Sequence, residues 1–190
     1  LQYFKEKTMA DTALLVVDAQ ESFRHRPYWS DVEVSPFVRN LQALIDGCAA
    51  RKAPVVQIFH TEDEGAFALS SGWVTTLEPV QIKPDVVFHK RYHSALAGTP
   101  LAGWLNERGI RRLVVSGIRT EECCETTARH ASDSGFEVDF VIDATLTFAM
   151  KHPRSGRTYT AAEVKERTEM VLSSGQFARL ASVKEALEKL

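Results

Sequence analysis

Apolar residues arrive in this chain as short solid blocks separated by longer stretches of helical spacing. Thr12-Ala13-Leu14-Leu15-Val16-Val17 is a largely continuous apolar run that stops abruptly at Asp18-Ala19-Gln20, the pattern of a strand covered on both faces. Pro36 follows Ser35 as a helix start, and Val38, Leu41, Leu44, Ile45 and Cys48 recur at helical spacing until Lys52. Pro54-Val55-Val56-Gln57-Ile58-Phe59 predicts a second strand that ends at His60, and Asp85-Val86-Val87-Phe88 a third, followed by His89-Lys90-Arg91-Tyr92. Thr99 and Pro100 open a helix whose buried side is Leu101, Trp104 and Leu105, closed by Gly109. Leu113-Val114-Val115 is a fourth strand that breaks at Gly117; a helix resumes after Thr120 and ends near Gly135. Residues 136–142 form a fifth strand ending at Asp143, residues 161–172 a helix, residues 177–181 a short strand, and Ser182 caps a last helix. Residues 21–35, 61–83 and 151–160 read as loops.

Strands that alternate with helices pair in parallel through right-handed crossovers. The fold class is therefore α/β, a three-layer α/β/α sandwich with a mainly parallel, Rossmann-like central sheet. Such sheets bind ligands at the carboxyl ends of their strands. That rule brings Asp18, His60, Lys90, Cys123 and Asp143 to one edge of the sheet, although 126 residues of sequence span them.

Composition narrows the picture further. The 190 residues suit one domain, taken as residues 9–190, with the eight residues before Met9 read as an upstream or added extension. Hydrophobic residues make up 44% and charged residues 25%, which excludes disordered and fibrous classes. A net charge of −2 gives no general attraction to nucleic acid or to an anionic membrane. No apolar run approaches the ~20 residues of a membrane span, and no secretory leader pattern is expected. Cys48, Cys123 and Cys124 cannot all pair within the chain and match no zinc spacing, so a reducing, cytoplasmic location is expected.

The chemistry concentrates at the turn after the fourth strand. Thr120 is a good helix N-cap, Glu121 and Glu122 follow it, and Cys123 falls in the first turn, where the helix dipole favours thiolate. A carboxylate beside that thiol can accept its proton, and a neighbouring ammonium favours thiolate too. Asp18 is the candidate base, Lys90 its electrostatic partner and Cys123 the nucleophile. Cys48 reads as a small core residue, Cys124 as a packed neighbour and Asp143 as a cap. Gln20, Phe23, His60, Trp73 and Tyr92 are the substrate-binding candidates, with Phe23 also suited to the core.

Three blocks occur in a telling order: Asp18-Ala19-Gln20-Glu21-Ser22-Phe23, Lys90-Arg91-Tyr92-His93-Ser94-Ala95 with Gly98-Thr99, and Gly117-Ile118-Arg119-Thr120-Glu121-Glu122-Cys123-Cys124-Glu125-Thr126-Thr127-Ala128-Arg129. In these the chain resembles the isochorismatase-like cysteine hydrolases, relatives of nicotinamidases and N-carbamoylsarcosine amidohydrolases. The resemblance implies a catalytic triad of Asp18, Lys90 and Cys123, with Cys123 rather than Cys124 because it lies three residues after Thr120. It also implies a cis peptide between Ile118 and Arg119, which turns the Arg119 N–H, with that of Cys123, toward the substrate oxygen. One such oxyanion donor is worth ~3 kcal/mol. A homo-oligomer is implied as well.

Departures from the family pattern sharpen the expectation. Nicotinamidases carry an Asp-x-His arrangement and further histidines that bind a metal after the second strand, whereas His60-Thr61-Glu62-Asp63-Glu64-Gly65 offers no such set. No metal and no cofactor is therefore expected, and nicotinamide is not the expected substrate. True isochorismatases lack the cysteine, so Cys123 points to a small amide, imide or lactam-like C–N bond. Ester or vinyl-ether hydrolysis on the same scaffold is the alternative, as is a thiol sensor that uses Cys123-Cys124 without turnover. Leu96 stands where an aromatic is usual and Arg119 where a small residue is common; its long cation either meets an anionic substrate group or points outward.

Overall fold

The computed structural model describes residues 11–190; the extension read at Leu1 to Thr8 lies outside them, as do Met9 and Ala10. Six parallel strands form the central sheet: β1 (Thr12–Val17), β2 (Val55–His60), β3 (Val86–Lys90), β4 (Arg112–Ile118), β5 (Glu137–Leu146) and, closing the far edge, β8 (Arg179–Ala181). Their spatial order is β3-β2-β1-β4-β5-β8. The chain thus starts in the middle of the sheet, winds outward to β3, and returns past β1 to build the other half. That reversal between β1 and β4 is the switch point at which such sheets open a ligand crevice.

Helices cover both faces, as the solid apolar strands require. On one side α1 (Val34–Ala50) and α5 (Val183–Leu187) bury Phe37, Leu41, Leu44 and Ala186 against Leu14, Val16, Val114 and Val141. On the other, α2 (Leu101–Glu107), α3 (Glu125–Asp133) and α4 (Ala161–Ser174) bury Leu101, Leu105, Ala128, Ala131 and Leu172 against Leu15, Val17, Val115 and Phe140. Successive residues of β1 feed opposite cores, which is why its run has no polar alternation. Cys48 belongs to the α1 core, and burial pushes its thiol up to about 12. No helix among the described residues is long and apolar enough to cross a membrane.

Element boundaries depart from the sequence pattern where tertiary contacts override local preference. The fourth strand does not stop at Gly117 but runs through Ile118, and β5 continues past Asp143 to Leu146, with a register irregularity between Val115 and Gly117. Gly117 lies directly beside Val17, and a Cβ there would stand 1.8 Å from the Val17 carbonyl oxygen at a φ of +125°. Only glycine permits that contact, and it reads locally as a break. Helix α1 begins at Val34, ahead of Pro36, and Lys90 closes β3 rather than opening a loop. The basic loop after residue 150 contains a small antiparallel hairpin, β6 (Met150–Lys151) with β7 (Thr158–Tyr159). It leads into the capping box of Thr160 and Glu163 that starts α4.

Candidate active site

Asp18 is the first residue beyond β1, held by its N–H on the Ile58 carbonyl (2.9 Å) and set at a φ of +50°, a left-handed conformation that aspartate tolerates better than most residues. Lys90 ends β3 two strands away, and its side chain reaches across β2. Its Nζ lies 2.7 Å from Asp18 Oδ2 and 3.3 Å from Cys123 Sγ. Asp18 and Lys90 are fully buried and Cys123 is 7% exposed. The lysine approaches Asp18 off the hydrogen-bonding direction, so neither carboxylate oxygen has a well-aligned donor. Lone pairs remain there for a proton from the thiol.

The electrostatics correct one expectation. Burial and the negative charge of Asp18 raise the Cys123 thiol far above the ordinary range, with Lys90 pulling the other way. A helix dipole does not make a resting thiolate here, because the turn that carries Cys123 is not an ordinary helix start. Residues Thr120–Cys124 form a π-type turn, and the Thr120 hydroxyl donates to Thr145 Oγ1 (2.8 Å) instead of capping the helix. Burial likewise raises the Asp18 carboxyl against the pull of Lys90. For Lys90, burial works against the ammonium, yet Asp18 and Cys123 together outweigh it and hold its pKa above the usual lysine value. Burial and Asp18 thus favour the neutral thiol at Cys123, beside the buried Lys90–Asp18 pair.

The Ile118–Arg119 peptide is cis. The Arg119 carbonyl, on the next peptide along, accepts from the N–H groups of Glu122 and Cys124, both at 3.2 Å, and so joins Arg119 to the turn that carries Cys123. The Arg119 side chain neither points outward nor waits for a substrate anion. Its guanidinium is buried, pairs with Glu121 (2.7 Å) and Glu122 (3.0 Å), and lies 4.7 Å from the centre of the Tyr28 ring. Glu121 in turn accepts from the Thr147 hydroxyl at 2.5 Å. Sequence reasoning did not find Tyr28 or Thr147 in this role, since pairings across 91 and 26 residues leave no local signal.

The other candidates separate into groups. His60 stands beside these three residues, its Nδ1 3.3 Å from Lys90 Nζ. Gln20 is fully buried and its amide is taken up internally: Oε1 accepts from the His60 N–H (2.8 Å), and Nε2 donates to the His60 carbonyl (3.1 Å) and to Ser22 Oγ (2.8 Å). Phe23 is core, edge-on to Phe67 at 5.0 Å. Trp73 is partly exposed and stacks on His25 at 3.5 Å. Tyr92 is 63% exposed, its ring edge against Gly98. Asp143 leaves the group altogether. Because β5 runs on past it, its carboxylate faces the α5 start, accepting from the Val183 N–H at 3.4 Å, while Asn40 of α1 holds its carbonyl.

Cys124 is fully buried, and its thiol is raised by burial first and by Cys123 next. Glu125, also buried, anchors the turn to α4 through Arg167 and Thr168 (2.9 Å). Among the described residues no group of three or more His, Cys, Asp or Glu side chains converges as metal ligands do. His60 stands between Glu62, 3.5 Å from its Nε2, and Lys90, 3.3 Å from its Nδ1.

Comparison with known proteins points in one direction. The isochorismatase domain pattern matches residues 12–174. Nicotinamidase 3 of Arabidopsis thaliana is 31% identical over 152 residues, covering 72% of this chain and 73% of that protein. A streptothricin hydrolase of Streptomyces noursei is 33% identical over 140 residues, covering 72% of this chain and 54% of its own. A provisionally assigned isochorismatase of Burkholderia xenovorans LB400 superposes with a TM-score of 0.84 at 31% identity, over 95% of this chain and 88% of that one.

Proposed function

This chain belongs to the isochorismatase family of hydrolases, and on that premise we propose that it is a metal-independent cysteine hydrolase that cleaves a small amide, imide or lactam-like C–N bond. The observation that carries the reading is the placement of one buried ammonium, Lys90, against both the Asp18 carboxylate (2.7 Å) and the Cys123 sulfur (3.3 Å). Amidase names among the relatives support the C–N bond as the target.

The chemistry follows from the protonation states. As Cys123 Sγ attacks the carbonyl carbon, its proton passes to Asp18, so no free thiolate has to accumulate in a buried site. Lys90 stays an ammonium throughout and offsets the negative charge that moves between sulfur and carboxylate. The carbonyl oxygen becomes an oxyanion beside the backbone N–H groups of Arg119 and Cys123, which act as its donors. Collapse breaks the C–N bond; the nitrogen leaves with the proton from Asp18, and an acyl thioester remains on Cys123. Asp18 then takes a proton from water, the hydroxide adds to the thioester carbonyl, and the carboxylic acid departs as Sγ regains its proton.

Incubation with a panel of primary amides, cyclic imides, ureido compounds and nicotinamide, with esters and vinyl ethers as comparators, tests this by intact-protein mass spectrometry. An acyl adduct that maps to Cys123 and is released by hydroxylamine is expected with a C–N substrate. Turnover that survives Cys123→Ser, or an adduct confined to Cys124, refutes it.

A further inference from the structure

Three groups surround the Lys90 ammonium: Asp18, ion-paired through Oδ2 at 2.7 Å, and two atoms within hydrogen-bond reach, Cys123 Sγ at 3.3 Å and His60 Nδ1 at 3.3 Å. The first two belong to the reaction already described. The third is a ring nitrogen that the reaction does not use. An ammonium only donates, so Nδ1 must be bare and the ring proton must sit on Nε2. That nitrogen faces Glu62 Oε1 at 3.5 Å, which favours the same tautomer.

The fold fixes this ring with unusual care for a residue at a strand end. His60 and Lys90 are register partners in the parallel β2–β3 pair. The Thr61 N–H and hydroxyl donate to the Lys90 carbonyl at 2.8 and 3.2 Å, locking the two strand ends together. From the other side, Gln20 grips the His60 peptide by both its N–H and its carbonyl, continuing the β1–β2 ladder with a side chain. The ring edge packs on Phe67 with centroids 5.6 Å apart. The charged groups around the imidazole are Lys90 on β3, Asp18 after β1, and Glu62 beyond its own strand. Burial, and then the Lys90 charge, hold its pKa below the ordinary histidine value, so the ring is neutral at pH 7.

We propose that neutral His60, held as the Nε2–H tautomer by Glu62 and clamped through its backbone by Gln20, is a positioning residue. It accepts a proton of Lys90 and so keeps the ammonium between Asp18 and Cys123. This rests on the cysteine-hydrolase reading. Without the acceptor, a buried ammonium N–H has no partner, and Lys90 turns away from the sulfur to find one.

Two measurements on the full chain test the proposal, and neither needs the substrate. In the histidine-labelled protein at pH 7.5, two-bond 15N–1H correlation is expected to show His60 protonated at Nε2 and bare at Nδ1, its signals identified by their loss in His60→Asn. A proton on Nδ1 overturns the proposal, because that nitrogen then has nothing to offer Lys90. The second is the rate of Cys123 alkylation by iodoacetamide at pH 8, read by mass spectrometry. His60→Asn, which keeps an acceptor near the Nδ1 position, is expected to react within about threefold of the parent, and His60→Leu at least about tenfold slower, the size of one lost charge-assisted hydrogen bond. Equal rates for the two variants, fast or slow, overturn it: fast means that Lys90 needs no acceptor at this position, slow that the ring only fills space. The cysteine-hydrolase reading is tested separately by the acyl-adduct experiment: an adduct on Cys123 with both His60 variants alkylated at the parent rate leaves that reading standing and drops the His60 role, whereas no adduct on Cys123 drops that reading while the contrast between the His60 variants still decides the role of the ring.

Discussion

Lys90 and Asp18 form an ion pair that water does not reach: Nζ sits 2.7 Å from Oδ2, and both side chains are 0% exposed. Desolvating two charges costs more than their attraction returns unless both stay paired, so each is a liability without the other.

Removing one partner is therefore expected to be worse than removing both. Lys90→Met should lose about 3 kcal/mol at neutral pH, and Asp18→Asn/Lys90→Met should recover most of that while remaining inactive. The loss in Lys90→Met depends on pH in a definite sense. Burial already raises the Asp18 carboxyl, and losing the ammonium raises it further. The native state then binds a proton that the unfolded chain has released, so stability is full below the unfolded carboxyl pKa and falls as pH rises toward the folded one, by up to ~1.4 kcal/mol per pH unit. Urea unfolding at pH 5 and pH 8 measures it; Lys90→Met equally stable at both would contradict an unpaired buried carboxylate.

Cys123 should behave as a thiol with a raised pKa when no substrate is present. Its thiolate fraction then grows about tenfold per pH unit, so alkylation by iodoacetamide is expected to climb in that proportion from pH 7 to pH 9 with no plateau. A plateau near pH 7 would instead reveal a preformed thiolate, and the burial argument would fail.

Arg119 holds its guanidinium against Glu121, Glu122 and Tyr28, so that charge is not free to recruit a substrate anion. Substrate pairs that differ by a carboxylate should show kcat/KM within about threefold of each other, since a free buried cation would discriminate by tenfold or more. Arg119→Ala should lower kcat about tenfold with little change in KM, because the proposed oxyanion donor is the backbone N–H of this same residue. Steady-state kinetics on any substrate found by adduct trapping decides both points.

Gly117 admits no side chain. Its Cβ would overlap the Val17 carbonyl at 1.8 Å, and its φ of +125° disfavours any L residue. Gly117→Ala is expected to cost at least about 3 kcal/mol by forcing β1 and β4 apart. A thermal midpoint within 2 °C of the parent, roughly half a kcal/mol for a chain of this length, would show that the strands adjust freely.

The blocks that carry local physics were legible in the sequence. Solid apolar runs at β1, β2 and β4 read as doubly covered strands, the helical spacing of Leu41, Leu44, Ile45 and Cys48 read as α1, and their alternation read as a parallel three-layer sandwich. The strand-end rule placed Asp18, His60, Lys90 and Cys123 together from sequence order alone. It failed for Asp143, because nothing local marks that β5 continues to Leu146: strand length there is set by pairing with Gly117 and Ile118. The capping role read for Thr120 failed similarly, since its hydroxyl finds Thr145 on a neighbouring strand.

By itself, then, the sequence determined the layers, the family pattern and which residue types could meet at the sheet edge, since these depend on periodicity, on chain reversal and on short motifs. Only the tertiary structure decided their protonation and their partners. That the Cys123 thiol is pushed upward, that Arg119 is internally paired, and that Gln20 clamps His60 beside Lys90 all depend on burial and on distances between residues far apart in the chain. Desolvation and hydrogen bonding act through space, over a few ångströms, and leave no trace in residue spacing.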